Sequence, residues 1–96
     1  MKKTTTNRGF VRFDFTDHND EKCSLQESSL AETSAIWLGI NDVIPVVCVH
    51  NEGWQPVPMP EGAMTAGRMH ITQEQMRELL PLLTRFADTG RLDEDY

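Results

Sequence analysis

The sequence predicts an α+β fold: a small, mainly antiparallel β-sheet of three to five strands with one C-terminal α-helix packed on a face. Three observations carry this. Residues 10–15 and 35–50 show strand-length apolar patterns bounded by turn formers, and residues 72–89 repeat apolar side chains at helical spacing. The 96-residue chain, 39% apolar and 25% charged, also has a globular composition and a length suited to one domain, expected over residues 10–92.

Met1–Asn7 opens with lysines but has no apolar run behind them, so residues 1–9 are expected to be a flexible leader rather than a secretory signal. From Phe10, Val11, Phe13 and Phe15 alternate with Arg12 and Asp14, the pattern of a half-buried strand. Asp17, Asn19 and Asp20 then supply turn chemistry, and Cys23 and Leu25 share one face of the returning strand, which makes a hairpin. The polar stretch Ser28–Ser34 reads as a loop. Ala35–Ile40 is apolar on both sides, as a central strand covered twice would be, and Gly39 within it marks a bend or a close backbone approach. Val46–His50 is a further strand, after which Asn51–Trp54 turns the chain. Pro56, Pro58, Pro60, Gly62 and Gly67 make residues 55–67 an extended surface loop.

Arg68–Ile71 is a short strand that runs directly into a helix. Thr72 and Gln75 form a capping box, Ile71 and Met76 a hydrophobic staple, and Glu74 sits well at the positive helix end. Met76, Leu79, Leu80, Leu83 and Phe86 make one apolar stripe, with Gln73, Arg77, Glu78, Arg85 and Asp88 facing outward and Gly90 as the stop. Pro81 interrupts the internal hydrogen bonds and should kink the helix. Leu82 falls off the stripe, so that it and Arg85 are candidates for a homodimer contact on the outer face. Residues 93–96 are an acidic, solvated tail.

The net charge of −6 arises from five basic and seven acidic residues in 1–50, and four and eight in 51–96. That balance disfavours direct nucleic-acid binding, which draws on clustered Lys and Arg, and suits a basic protein partner. The apolar runs are too short for a membrane span, and the cytoplasm is the expected compartment. Cys23 and Cys48, without a signal peptide, are expected to be buried small hydrophobes rather than a disulfide.

Blocks of the chain resemble an uncharacterised family of small proteins of tailed bacteriophages and prophages. The blocks are Cys23–Ser29, Ala35–Gly39, Gly53–Pro58, Met69–Thr72 with Gln75, Leu79–Pro81, Phe86 and Thr89–Leu92, spread over most of residues 13–92. The resemblance implies a viral source rather than a mechanism. Small phage proteins of this kind commonly modulate the host, as inhibitors of CRISPR and other defences or as sponges for nucleotide immune signals.

No candidate site has the spacing of an established catalytic or metal motif. Cys48 and His50 share a strand face, and Cys23, His18 or His70 would have to complete a zinc site, yet no C-x₂-C pair exists; no metal and no cofactor are expected. Cys23 or Ser24 with His70 lacks a nucleophile elbow and an oxyanion turn, so the chain is read as non-enzymatic. Gln26, Glu27, Ser28 and Ser29 near Trp37 could bind a base-like ligand, with Arg12, Lys22 or Arg68 for phosphate. Their ordinary use would be a capped turn and a core Trp. Trp54, Met59 and Met64 suit an interface anchor, or a lid folded back on the sheet. The expected function is therefore binding and inhibition of a host defence protein, with sequestration of a nucleotide signal as the alternative.

Overall fold

The computed structural model describes residues 1–63, 65 and 67–93. Among these, seven strands precede one helix: β1 (Lys2–Thr5), β2 (Val11–Thr16), β3 (Lys22–Glu27), β4 (Ala35–Ile40), β5 (Val46–Val49), β6 (Gly53–Pro56), β7 (Gly67–Thr72) and α1 (Gln73–Thr89). Five strands form one antiparallel sheet in the order β1-β2-β3-β4-β7, and β5 pairs with β6 in a separate two-stranded sheet. The chain is α+β, as its patterning predicts. No helix among the described residues is long and apolar enough to cross a membrane.

The β2–β3 hairpin closes through an Asx turn. The Asp17 carboxylate accepts the Asn19 and Glu21 N–H groups at 2.8 and 3.0 Å, while Asp20 takes a left-handed φ of 62°. Where a flexible leader is expected, the structure instead has an edge strand, β1, paired with β2 from Lys2↔Asp14 to Thr5↔Val11. The cause is local. Gly9 adopts φ 88°, Thr6 and Phe10 exchange backbone and hydroxyl hydrogen bonds, and the threonine run has the β-branched character that suits pairing. A second correction concerns Gly53–Pro56, which is strand β6 and not part of a turn and loop. Asn51 (φ 67°) and Gly53 (φ 76°) make a tight reversal that returns the chain along β5. Residues 57–63 and 65 contain no further strand or helix, as the prolines dictate. Met64 and residues 94–96 of the expected acidic tail lie outside the described residues.

Antiparallel register sorts the five-stranded sheet into two chemically distinct faces. Phe13 pairs with Leu25, Leu25 with Leu38 and Leu38 with Met69; Phe15 pairs with Cys23, and Ile36 with both Glu27 and Ile71. That face is apolar. The opposite face carries the rows Thr4–Arg12–Gln26–Trp37–His70 and Lys2–Asp14–Ser24–Gly39–Arg68. Gly39 sits inside the sheet at φ 144°, and a Cβ there would collide with the Gly67 carbonyl and the Arg68 Cα. The close backbone approach expected at Gly39 is thus what lets β7 dock on β4.

Helix α1 starts and stops as its sequence specifies. Thr72 Oγ1 accepts the Gln75 N–H at 3.1 Å, Gln75 Oε1 accepts the Thr72 N–H at 3.0 Å, and Gly90 (φ 78°) donates its N–H to the Phe86 carbonyl at 2.8 Å. The expected packing across a sheet face does not occur: α1 has no buried residue, and Leu80 and Phe86 remain 54% and 55% exposed. The reason is the junction. Thr72 is both the last residue of β7 and the N-cap, so no linker allows the helix to turn back over its own sheet. Ala35–Ile40, expected to be covered on both sides, is correspondingly only half-buried throughout. Among the described residues, the buried apolar side chains are Cys23 and Ile71, both on the apolar face.

Replacing Gly39 with Ala should destabilise the fold by more than about 1 kcal/mol, because the new Cβ meets backbone and the φ is unfavourable. The midpoint of denaturant unfolding measures this. An unchanged midpoint would mean that β7 does not depend on the approach.

Candidate functional site

The polar face gathers Gln26, Ser28, Trp37 and Arg68 from β3, the turn after it, β4 and β7. Cross-strand pairing stands His70 beside Trp37, and their rings stack with centroids 3.8 Å apart and planes 5° from parallel. His70 Nε2 lies 2.8 Å from Ser28 Oγ, and the Ser28 N–H donates to the Ala35 carbonyl at 2.9 Å, so the turn after β3 holds the outer end of the stack.

Arg68 lies two residues before His70 and therefore on the same side of β7. Its Nη1 donates to Gln26 Oε1 at 3.0 Å and, at 3.5 Å, towards Ser24 Oγ, while Cζ stands 5.6 Å from the Trp37 ring centroid. The fully buried Ser24 hydroxyl donates to Asn41 Oδ1 at 2.6 Å, which anchors the floor beneath the guanidinium. Arg12 and Asp14, further along the face, are paired with each other at 2.9 Å. The half-buried Arg68 is held by an amide, a hydroxyl and an aromatic ring rather than by a carboxylate. Among the described residues, its charge is therefore oriented with no carboxylate paired to it.

The remaining predicted residues lie elsewhere. Glu27 falls on the apolar face by register, and its carboxylate accepts the Val11 N–H at 3.0 Å; Ser29 is exposed in the loop between β3 and β4. Trp54 is on β6, 70% exposed, and Met59 follows it at 47%. Ile44, Val46 and Val47 are also exposed, so that the β5–β6 arm and its flanks carry apolar side chains on both faces, with Val46 on the Trp54 side and Val47 on the other. Leu82 is one turn from Leu79 and one from Phe86, so in the helix it widens the exposed stripe to about 160° of arc instead of marking a separate outer contact. Arg85 lies on the side opposite that stripe.

Among the described residues, no three His, Cys, Asp or Glu side chains group closely enough to hold a metal ion. Ser24, Asn41 and the stacking role of His70 were not foreseen from the sequence. The period-2 alternation that joins Arg68 to His70 was the available signal, since it places both on the Trp37 side once β4 and β7 pair.

The class that fold and site define is a small α+β chain, with a hydrogen-bonded cationic and aromatic face on one side of its five-stranded sheet and a separate two-stranded arm that carries exposed apolar residues. Comparison with protein-family models, curated proteins and solved structures finds no significant match.

The two thiols are free and differ sharply: Cys23 is buried on the apolar face, and Cys48, expected to be buried, is exposed on β5 in the two-stranded arm. Burial foremost, then the Asp17 carboxylate, pushes the Cys23 thiol above its ordinary pKa; a hydrogen bond with the Asp17 backbone opposes this, and Glu21 adds to the rise. Cys48 should therefore react with a disulfide reagent at neutral pH far faster than Cys23, with Cys23 released only on unfolding. Because the folded pKa of Cys23 exceeds the unfolded one, its contribution to stability is complete below the unfolded value and is lost as pH rises through the folded value. Cys23→Ala should remove that alkaline loss, as read from unfolding midpoints across alkaline pH. Equal labelling of both thiols in the folded protein would contradict the assignment.

Proposed function

We propose that this is a non-enzymatic, protein-binding accessory factor that acts in the cytoplasm of a bacterial host and inhibits a host protein, a defence component first among the candidates. The observation that carries the proposal is the β5–β6 arm: Trp54 stands 70% exposed on the face that it shares by register with Cys48 and Val46, and Val46 too is exposed. An apolar surface of this kind, with an aromatic anchor, fits a protein partner better than solvent. The acidic balance of the chain, −6 overall, favours a basic partner and opposes direct contact with nucleic acid. The viral and host setting comes from the block resemblance to small phage proteins.

The expected outcome of a tagged pulldown from defence-bearing bacterial hosts is one co-purifying host protein. Trp54→Ala should weaken its capture by about 30-fold, the effect of a hot spot of roughly 2 kcal/mol, without altering the melting temperature. Empty pulldowns from several such hosts would count decisively against the proposal.

A second function, sequestration of a nucleotide immune signal, is favoured by a separate observation. Arg68 is oriented by Gln26 and Trp37, with no carboxylate partner among the described residues, and the exposed His70 ring at the end of the stack is placed to extend it onto a base. Cyclic dinucleotides or ADP-ribose derivatives at about 100 times their Kd should then add about 2.7 kcal/mol of stability, and Arg68→Ala should abolish the shift. Unchanged melting with every nucleotide tried would remove this function.

A further inference from the structure

A chain of this mass, folded compactly, should expose about 5,600 Å². Here the accessible surface is 8153 Å². The radius of gyration tells the same story: 17.1 Å, against about 12.5 Å for a compact chain of this length. Roughly 2,500 Å² per chain is therefore left uncovered relative to that scaling, far above the ~800 Å² per partner of a standard interface and in the range of obligate dimers.

Two of the elements that contribute to it leave an apolar face half-buried or exposed. One is the apolar sheet face carrying Phe13, Leu25, Leu38 and Met69; the other is the α1 stripe, Leu79 to Phe86. Each has the form the other requires. A 17-residue helix is about 25 Å long, and a five-stranded sheet is about 24 Å across. Within one chain they come together only at the root of the helix, where Thr72 ends β7 and caps α1 with no intervening residue. The groove at the root of the helix, lined by Ile36, Ile71 and Met76, stays open on the apolar side.

We propose that the occupant is a second copy of this chain, and that two copies form a symmetric dimer by exchanging helices, α1 of each lying across the Phe13–Leu25–Leu38–Met69 face of its partner. Such an interface is isologous, so one two-fold axis buries both helices and both faces at once. It uses neither Trp54 nor Arg68, and so stands independently of the proposed function.

Light scattering on the purified full chain should give twice the monomer mass at micromolar concentration. Leu79→Glu with Leu83→Glu should abolish the dimer, whereas Arg77→Ala, on the polar side of α1, should leave it unchanged. Since the charged variant could also fail to fold, isotope-filtered NOE spectra of a mixture of labelled and unlabelled wild-type chains provide a second measurement. Cross-peaks between the Leu83 methyls of one chain and the Leu25 or Leu38 methyls of another are expected. A folded wild-type monomer across the concentration range would overturn the proposal and assign both faces to a foreign partner. So would a dimer in which those cross-peaks arise only within one chain.

Discussion

The direct junction at Thr72 governs this molecule. A residue that is at once the end of a strand and the cap of a helix fixes the direction in which the helix leaves. Here both bonds of the capping box are made, so the exit is held by the first turn itself. The helix is thereby well formed and badly placed for covering its own sheet. From that follow the small number of buried side chains, the half-exposed central strand and the excess surface. Local helix chemistry has been satisfied at the expense of intrachain burial, which a second chain can restore.

The other organising element is the register of the antiparallel ladder. With a side-chain period of two, one slip would exchange the faces and bring Trp37 and Arg68 to the apolar side. Gly39 holds the β4–β7 part of that register, because only a residue without Cβ lets the Gly67 carbonyl approach so closely. The polar network is thus built on backbone contact: Arg68 reaches Gln26 and Trp37 because β7 lies tight against β4.

How far this could be read from the residues depended on the range of the interactions. The helix limits, the Asx turn and the strands from Val11 to Ile40 are set by neighbours in sequence, and their signals were plain. The placing of Leu79, Leu83 and Phe86 is not legible in the sequence, because amphipathicity marks an apolar face without saying what, if anything, packs against it. Strand β1 gives no apolar signal, since Lys2–Thr5 is two lysines and two threonines and owes its structure to Gly9 and to pairing with β2. At the site, Gln26, Ser28, Trp37 and Arg68 were each visible as residue types, but their convergence and the stacking of His70 required knowing that β4 pairs with β7 across an intervening arm. Ser24 had no signal in the sequence to distinguish it from an ordinary strand serine.

The edge strand β1 carries a consequence for the geometry of growth. Lys2 and Lys3 stand on opposite sides of the strand that closes one margin of the five-stranded sheet. Charges there repel a like margin from a neighbouring molecule, which opposes addition of one β1 edge to another. The proposed dimer uses the faces instead, where a two-fold arrangement closes on itself. A protein with so much unsatisfied apolar surface can in this way stop at a defined stoichiometry instead of polymerising.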